Sequence, residues 1–87
     1  MFGFARMDAH AELVNGMADA IGVDMAEEVL AGRMPPEEVR SLVLRCVGCA
    51  DVTRCRHFLA DHAIAHDAAA APDFCRNKAR MDLLKAR

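Results

Sequence analysis

The stretch LVLRCVGCADVTRCRHFL, residues 42–59, holds three of the chain's four cysteines across one break between two helical patterns. Upstream of the break, Val39, Leu42, Val43 and Cys46 recur at the spacing of one helix face. Gly48 stops that helix, so Cys46 falls in its last turn and Cys49 just beyond. Asp51 suits the cap of a following helix that carries Cys55, Phe58, Leu59 and Ile64. Cys55 then lies on the first turn of that helix and can point back to the same spot.

The same grammar extends in both directions. Pro35 and Pro36 fit a helix entrance, with Glu37 and Glu38 in the first turn, where the helix dipole favours acids. Before them, Asp24 and Glu27 form a capping box for a short helix with Met25, Val29 and Leu30, closed by Gly32. Residues 6–21 read as an amphipathic helix through Met7, Leu13, Val14, Met17 and Ile21, ended by Gly22. Towards the other end, Ala68 to Ala71 either extend the fourth helix or form a loop before Pro72. A last helix starts near Asp73 or Asn77 and buries Met81 and Leu84. No convincing alternating strand and no internal repeat is present. The expected fold is all-α: one domain over residues 1–87, a small bundle of about five short helices organised around a four-cysteine metal centre.

Size makes such a centre useful. A chain of 87 residues lies near the lower end of what folds unaided, and a metal or disulfides often supplement a core this small. The apolar content is 54%, but much of it is alanine, with no Trp or Tyr. The net charge of -2 conceals an asymmetry: residues 1–39 carry two basic and eight acidic groups, residues 40–87 nine basic and five acidic. All four cysteines lie in the basic half, which suits an anionic metal–thiolate centre or an acidic partner, though solvated helix faces of opposite sign give the same tally. No apolar run approaches the roughly 18 residues needed to cross a membrane, and no secretory signal pattern opens the chain. The expectation is a soluble cytoplasmic protein, whose thiols stay reduced and favour metal or redox chemistry over structural disulfides.

The spacing is Cys46-x2-Cys49-x5-Cys55-x19-Cys75. Two thiolates separated by two residues converge on one ion when a turn brings their sulfurs to one side. Cys75 follows the break at Pro72 and closes the site from another direction. Four sulfurs at helix–loop junctions are what a tetrahedral zinc or a cubane iron–sulfur cluster requires. Four inert core cysteines are the plainer alternative, but they have no reason to gather at chain breaks. Structural zinc usually shows two close pairs, whereas this chain has one pair and two single cysteines. Leu44, Val47, Val52 and Phe74 are expected to exclude water. Amides after Gly48 are expected to donate to sulfur. Arg45, Arg54, Arg56 and Arg76 can offset the charge of a cluster or of zinc, and Asn77 completes the expected surroundings.

Two resemblances bear on the choice. The segment Cys46-x2-Cys49-x5-Cys55 with a remote fourth cysteine resembles the ligand spacing of two [4Fe-4S] regulator families, the fumarate–nitrate-reduction type oxygen sensors and the WhiB-like proteins. That resemblance covers the cysteines alone and implies a [4Fe-4S] cluster on Cys46, Cys49, Cys55 and Cys75. Residues 17–84 also resemble a family of small cysteine-rich α-proteobacterial proteins catalogued as a domain of unknown function. The matching pieces are Gly22-Val23-Asp24, Arg45-Cys46 with Cys49 and Cys55, and Ala71-Pro72-Asp73-Phe74-Cys75 followed by Asn77. Members tend to carry Trp-Leu after the third cysteine and Pro after the fourth, where this chain has Phe58-Leu59 and Arg76. This family implies the site and no activity.

The remaining groups read as structural. His10, His57, His62 and His66 are expected at the surface, with His57 near enough to Cys55 to act as a spare or supporting group. His62 and His66 would share a helix face if the fourth helix extends that far. No nucleophile–base set, phosphate loop or haem attachment signal is present, and no recognition-helix pattern supports nucleic-acid binding. The expected function is therefore not enzymatic. It is a cytoplasmic [4Fe-4S] protein acting in electron transfer or in redox or gas sensing with a protein or redox partner. The alternatives are a structural Zn2+ module that binds another protein, or a metal-free thiol switch.

Overall fold

The computed structural model describes residues 2–49 and 51–86, with side chains from residue 7 onwards. Five helices follow in order: α1 (Phe2–Ala20), α2 (Met25–Leu30), α3 (Pro36–Val47), α4 (Val52–His62) and α5 (Lys78–Lys85). Among the described residues there is no strand, and the chain is all-α. The helix boundaries follow local chemistry. Gly22 and Gly32 adopt left-handed backbone at φ +79° and +78°, which glycine alone adopts without strain, and so close α1 and α2. The Asp24 carboxylate accepts from the Glu27 N–H at 3.0 Å and starts α2. Pro36 opens α3 behind Pro35.

Helix α1 runs through the middle, with α3 and α4 packed against it. It starts earlier than residue 6, because the helix extends beyond the turn where core spacing begins. Leu13, Val14, Met17 and Ala18 of α1, and Ile21 just beyond its end, are buried together with Leu42, Val43, Met34, Met81 and Leu84. Ile21, Met34, Leu42 and Met81 are the largest fully buried side chains, each contributing roughly 1.5–3 kcal/mol by removal from water. Helices α1 and α4 approach closely at Gly16, where an added Cβ would lie 2.9 Å from Leu59 Cδ1. Alanine there needs only a shift of the leucine tip. A Gly16→Val substitution should force the helices apart and lower stability by about 1–3 kcal/mol, read as a drop in melting temperature; an unchanged melt would mean that this contact is not tight in solution.

Several local expectations are corrected. Ile64 lies beyond the end of α4 and is 93% exposed, and Leu30 is 85% exposed on the outer face of α2. Asp51 stands at the start of α4 but makes no capping bond; its carboxylate pairs with Arg54 at 3.3 Å instead. Glu28, in the first turn of α2, is buried and pairs with Arg33 at 2.8 Å.

The stretch 63–77 carries no helix, so Ala68–Ala71 form a loop. Alanine favours helix, but tertiary bonds prevail here. His66 turns the chain at φ +54° and its Nδ1 donates to the Asp19 carbonyl at 2.7 Å. The Ala68 N–H donates to the Ala20 carbonyl at 2.9 Å. Asp82 accepts from the Ala71 N–H at 3.0 Å and from Lys78 Nζ at 3.0 Å, and these bonds, the backbone one foremost, hold its carboxyl below the ordinary range. Asn77, buried, donates through Nδ2 to the Leu42 carbonyl at 2.8 Å and anchors the loop on α3. Arg80 meets Glu38 at 2.7 Å and fixes α5 on the same helix. An irregular stretch of this length in a compact domain is usually functional, and here it delivers Cys75.

Candidate metal centre

Each cysteine reaches the site by a different local device. Cys46 ends the last turn of α3, and a turn in which the Cys49 N–H donates to the Cys46 carbonyl at 2.9 Å brings the second thiol round. Cys55 lies in the first turn of α4, its N–H donating to the Asp51 carbonyl at 3.1 Å. Cys75 follows a turn closed by its own N–H on the Pro72 carbonyl at 3.0 Å. All four are free thiols, and all four line one cavity. Its other walls are Leu13, Val14 and Met17 of α1, Met81 of α5, and Phe74, Arg76 and Asn77. The innermost room is about 20 Å³, within a concavity of about 340 Å³ of free space that includes open solvent. The first figure accommodates little more than one water or ion.

The buried sulfurs also feel one another's charge. Burial, then the charges of Cys55, Cys49 and Cys75, push the Cys46 thiol from 9.0 up to about 11. Burial, then Cys75 and Cys49, push Cys55 up to about 11, with Arg56 working the other way. Cys75 is raised by burial, against a backbone hydrogen bond from Asn77 that favours its thiolate. Burial and mutual repulsion therefore favour protonated, neutral thiols at Cys46 and Cys55 in metal-free protein. In metal-free protein these raised values mean that the folded state keeps protons which the unfolded chain releases, so folding stability is lost as pH climbs from 9.0 through about 11. Alkylation of Cys46 and Cys55 by iodoacetamide should accordingly be slow at neutral pH and accelerate towards the upper value; full reactivity at neutral pH would contradict this burial.

Sulfur also receives hydrogen bonds. The Asp51 N–H donates to Cys49 Sγ at 3.5 Å, an amide after Gly48 as expected. The Asn77 N–H serves Cys75. His10 Nδ1 lies 3.3 Å from Cys46 Sγ; this histidine was expected at the surface, and no signal within its own helix could have placed it at α3. Of the other expected neighbours, Phe74, Arg76 and Asn77 line the cavity. Arg54 acts at one remove, its guanidinium 4.7 Å from the centre of the Phe74 ring, a contact of about 0.5–1 kcal/mol at an exposed site. Gly48 has ordinary backbone angles, and Arg76 packs beside it at a distance that an added Cβ would meet as ordinary contact, its Nε 3.8 Å away. Arg45 is exposed and does not line the cavity. Leu44 is 51% exposed and shields nothing there; Val47 and Val52 are partly buried but form no part of the wall. His57 is exposed. Because α4 ends at His62, His62 and His66 share no helix face: His62 meets Asp67 at 2.7 Å.

The donor set fits a metal centre in kind. It is all thiol: four soft sulfur donors line one cavity. As the side chains stand, though, no group of three or more His, Cys, Asp or Glu among the described residues is arranged to hold a single ion.

Fold and site together define a small all-α protein whose four cysteines, drawn from two helices and two loops, wall one cavity. Over residues 1–87 the chain matches, and belongs to, the family of unknown function DUF6455. No curated protein and no solved structure matches it. Among the described residues no helix is long and apolar enough to cross a membrane.

Proposed function

We propose that the chain is a small [4Fe-4S] protein acting in electron transfer or in redox or gas sensing, with Cys46, Cys49, Cys55 and Cys75 as the ligands. The observation that carries this reading is four free thiols lining one largely apolar cavity. A cubane cluster takes its four ligands from around a body several ångströms across, whereas tetrahedral zinc needs sulfurs about 2.3 Å from one point. The spacing Cys46-x2-Cys49-x5-Cys55 with a remote Cys75, similar to that of the fumarate–nitrate-reduction type and WhiB-like regulators, supports the same choice.

When bound, the cluster would supply one-electron chemistry. The chain's own residues do the rest. Leu13, Val14, Met17, Met81 and Phe74 keep water from the sulfurs, and the Asp51 and Asn77 amides stabilise negative charge on Cys49 and Cys75. With every ligand position taken by cysteine there is no open site for substrate, which fits an electron carrier or sensor and not an enzyme. Free thiols in this number suit the cytoplasm, where reducing conditions keep them available. Loss of the cluster would release Cys75 and its turn at Pro72 while the rest of the 63–77 loop keeps its own anchors, and that local release is the candidate signal to a protein partner.

One observation favours a second reading. The innermost room of about 20 Å³ suits one ion better than a cubane, so a structural Zn2+ module binding another protein through its helical surface is the alternative. Reconstitution of metal-free protein with iron and sulfide, against zinc, separates the two. Stoichiometric iron with sulfide supports the cluster, and exclusive, tight uptake of one zinc overturns it.

A further inference from the structure

His10 stands one turn before Leu13 and Val14 on α1, half-buried at the end of α3, with Nδ1 3.3 Å from Cys46 Sγ. The contact joins residues 36 positions apart and is therefore made by the packing of α1 on α3. A metal-bound thiolate sulfur has no proton and only accepts hydrogen bonds. In the loaded centre this contact is bonded in one form only, with the imidazole N–H as donor. We infer that His10 is a positioning residue of the centre, donating Nδ1–H to the ligated Cys46 sulfur and thereby raising the reduction potential; this rests on the cluster reading above.

The physical reason is charge. A donor aimed at a ligand sulfur draws electron density from the thiolate and favours the more negative, reduced state of the cluster. Cys49 and Cys75 receive such bonds from the backbone amides of Asp51 and Asn77, which side-chain substitution does not remove. The donor to Cys46 is a side chain, so the potential can be altered there by a single replacement without touching a ligand. His10 also ties α1, the central helix, to the centre, so that a change at Cys46 is felt by α1.

The test compares the potential of the loaded wild-type protein with those of His10→Leu and His10→Asn, by dye-mediated titration of the visible band. Asparagine places an amide N–H near the position of Nδ1. The leucine variant should titrate at a lower potential, the asparagine variant should recover part of the difference, and all three should hold the same iron and helix content. An unchanged potential in His10→Leu with iron intact, or an asparagine variant that tracks leucine, overturns the inference. Where His10→Leu fails to hold iron, ¹⁵N NMR of histidine-labelled loaded wild type decides: a proton on His10 Nδ1 supports the bond, and its absence refutes it. A wild type that takes zinc in place of iron refutes the cluster reading in the metal analysis itself, and the same NMR experiment on the zinc form then decides the hydrogen bond separately.

Discussion

Serine in place of Cys75 should strip the centre while leaving the bundle folded. The loss in metal affinity should exceed the 10–100-fold typical of an outer partner, so that most iron and most visible absorption disappear. The bundle survives because Cys75 lies in a loop with anchors of its own: Asn77 on Leu42, Ala68 on Ala20 and Ala71 on Asp82. Far-UV circular dichroism should therefore change little, while the melting temperature falls towards that of metal-free protein. Equal iron and equal colour in Cys75→Ser would remove Cys75 from the ligand set. The reading would then reduce to the three cysteines of residues 46–55.

The second large effect belongs to Met81. It is fully buried and at once a wall of the cavity and part of the core. Truncation by Met81→Ala should cost about 2–5 kcal/mol, a large share of the 5–15 kcal/mol that holds a typical domain together. It should also widen the cavity and speed loss of the centre in air. Leu83, two residues on in α5 but 61% exposed, is the matched control: Leu83→Ala should stay within about 0.5 kcal/mol. Denaturant melts of the two variants side by side give the comparison. Similar losses in both would mean that α5 does not pack as described.

What the sequence discloses, and what it withholds, follows from the range of the interactions. Gly22, Gly32, Asp24 and Pro36 act within a few residues of themselves, and each marks a boundary where the chain breaks. Five helices and the placement of Cys46, Cys49 and Cys55 around the α3–α4 junction follow from such signals. Cys75 was placed by Pro72 alone, and the turn it closes on the Pro72 carbonyl bears that out. The hidden features are long-range. The partnership of His10 with Cys46 spans 36 positions, and that of Asn77 with Leu42 spans 35; neither leaves a periodicity to read.

The alanines left two readings open, and isoleucine misled, for a related reason. Ala68–Ala71 carry strong helix propensity, yet the chain reverses at His66 and gives its backbone donors to Ala20 and Asp82. Ile64 continues an apolar spacing beyond His62, where α4 has already ended. Arg45 shows the same limit on charge. It belongs to a basic cluster in sequence, but helix geometry turns it outward while Arg76, from the far loop, reaches the cavity beside Gly48.

The most direct measurement is the visible absorption spectrum and metal content of protein purified without air. Four cysteines around one cavity predict a brown protein with a broad band near roughly 400 nm and about four irons per chain, as cysteine-ligated cubane clusters give. A colourless protein holding one tightly bound zinc would contradict the redox reading and leave the four thiols as the closure of a structural metal site.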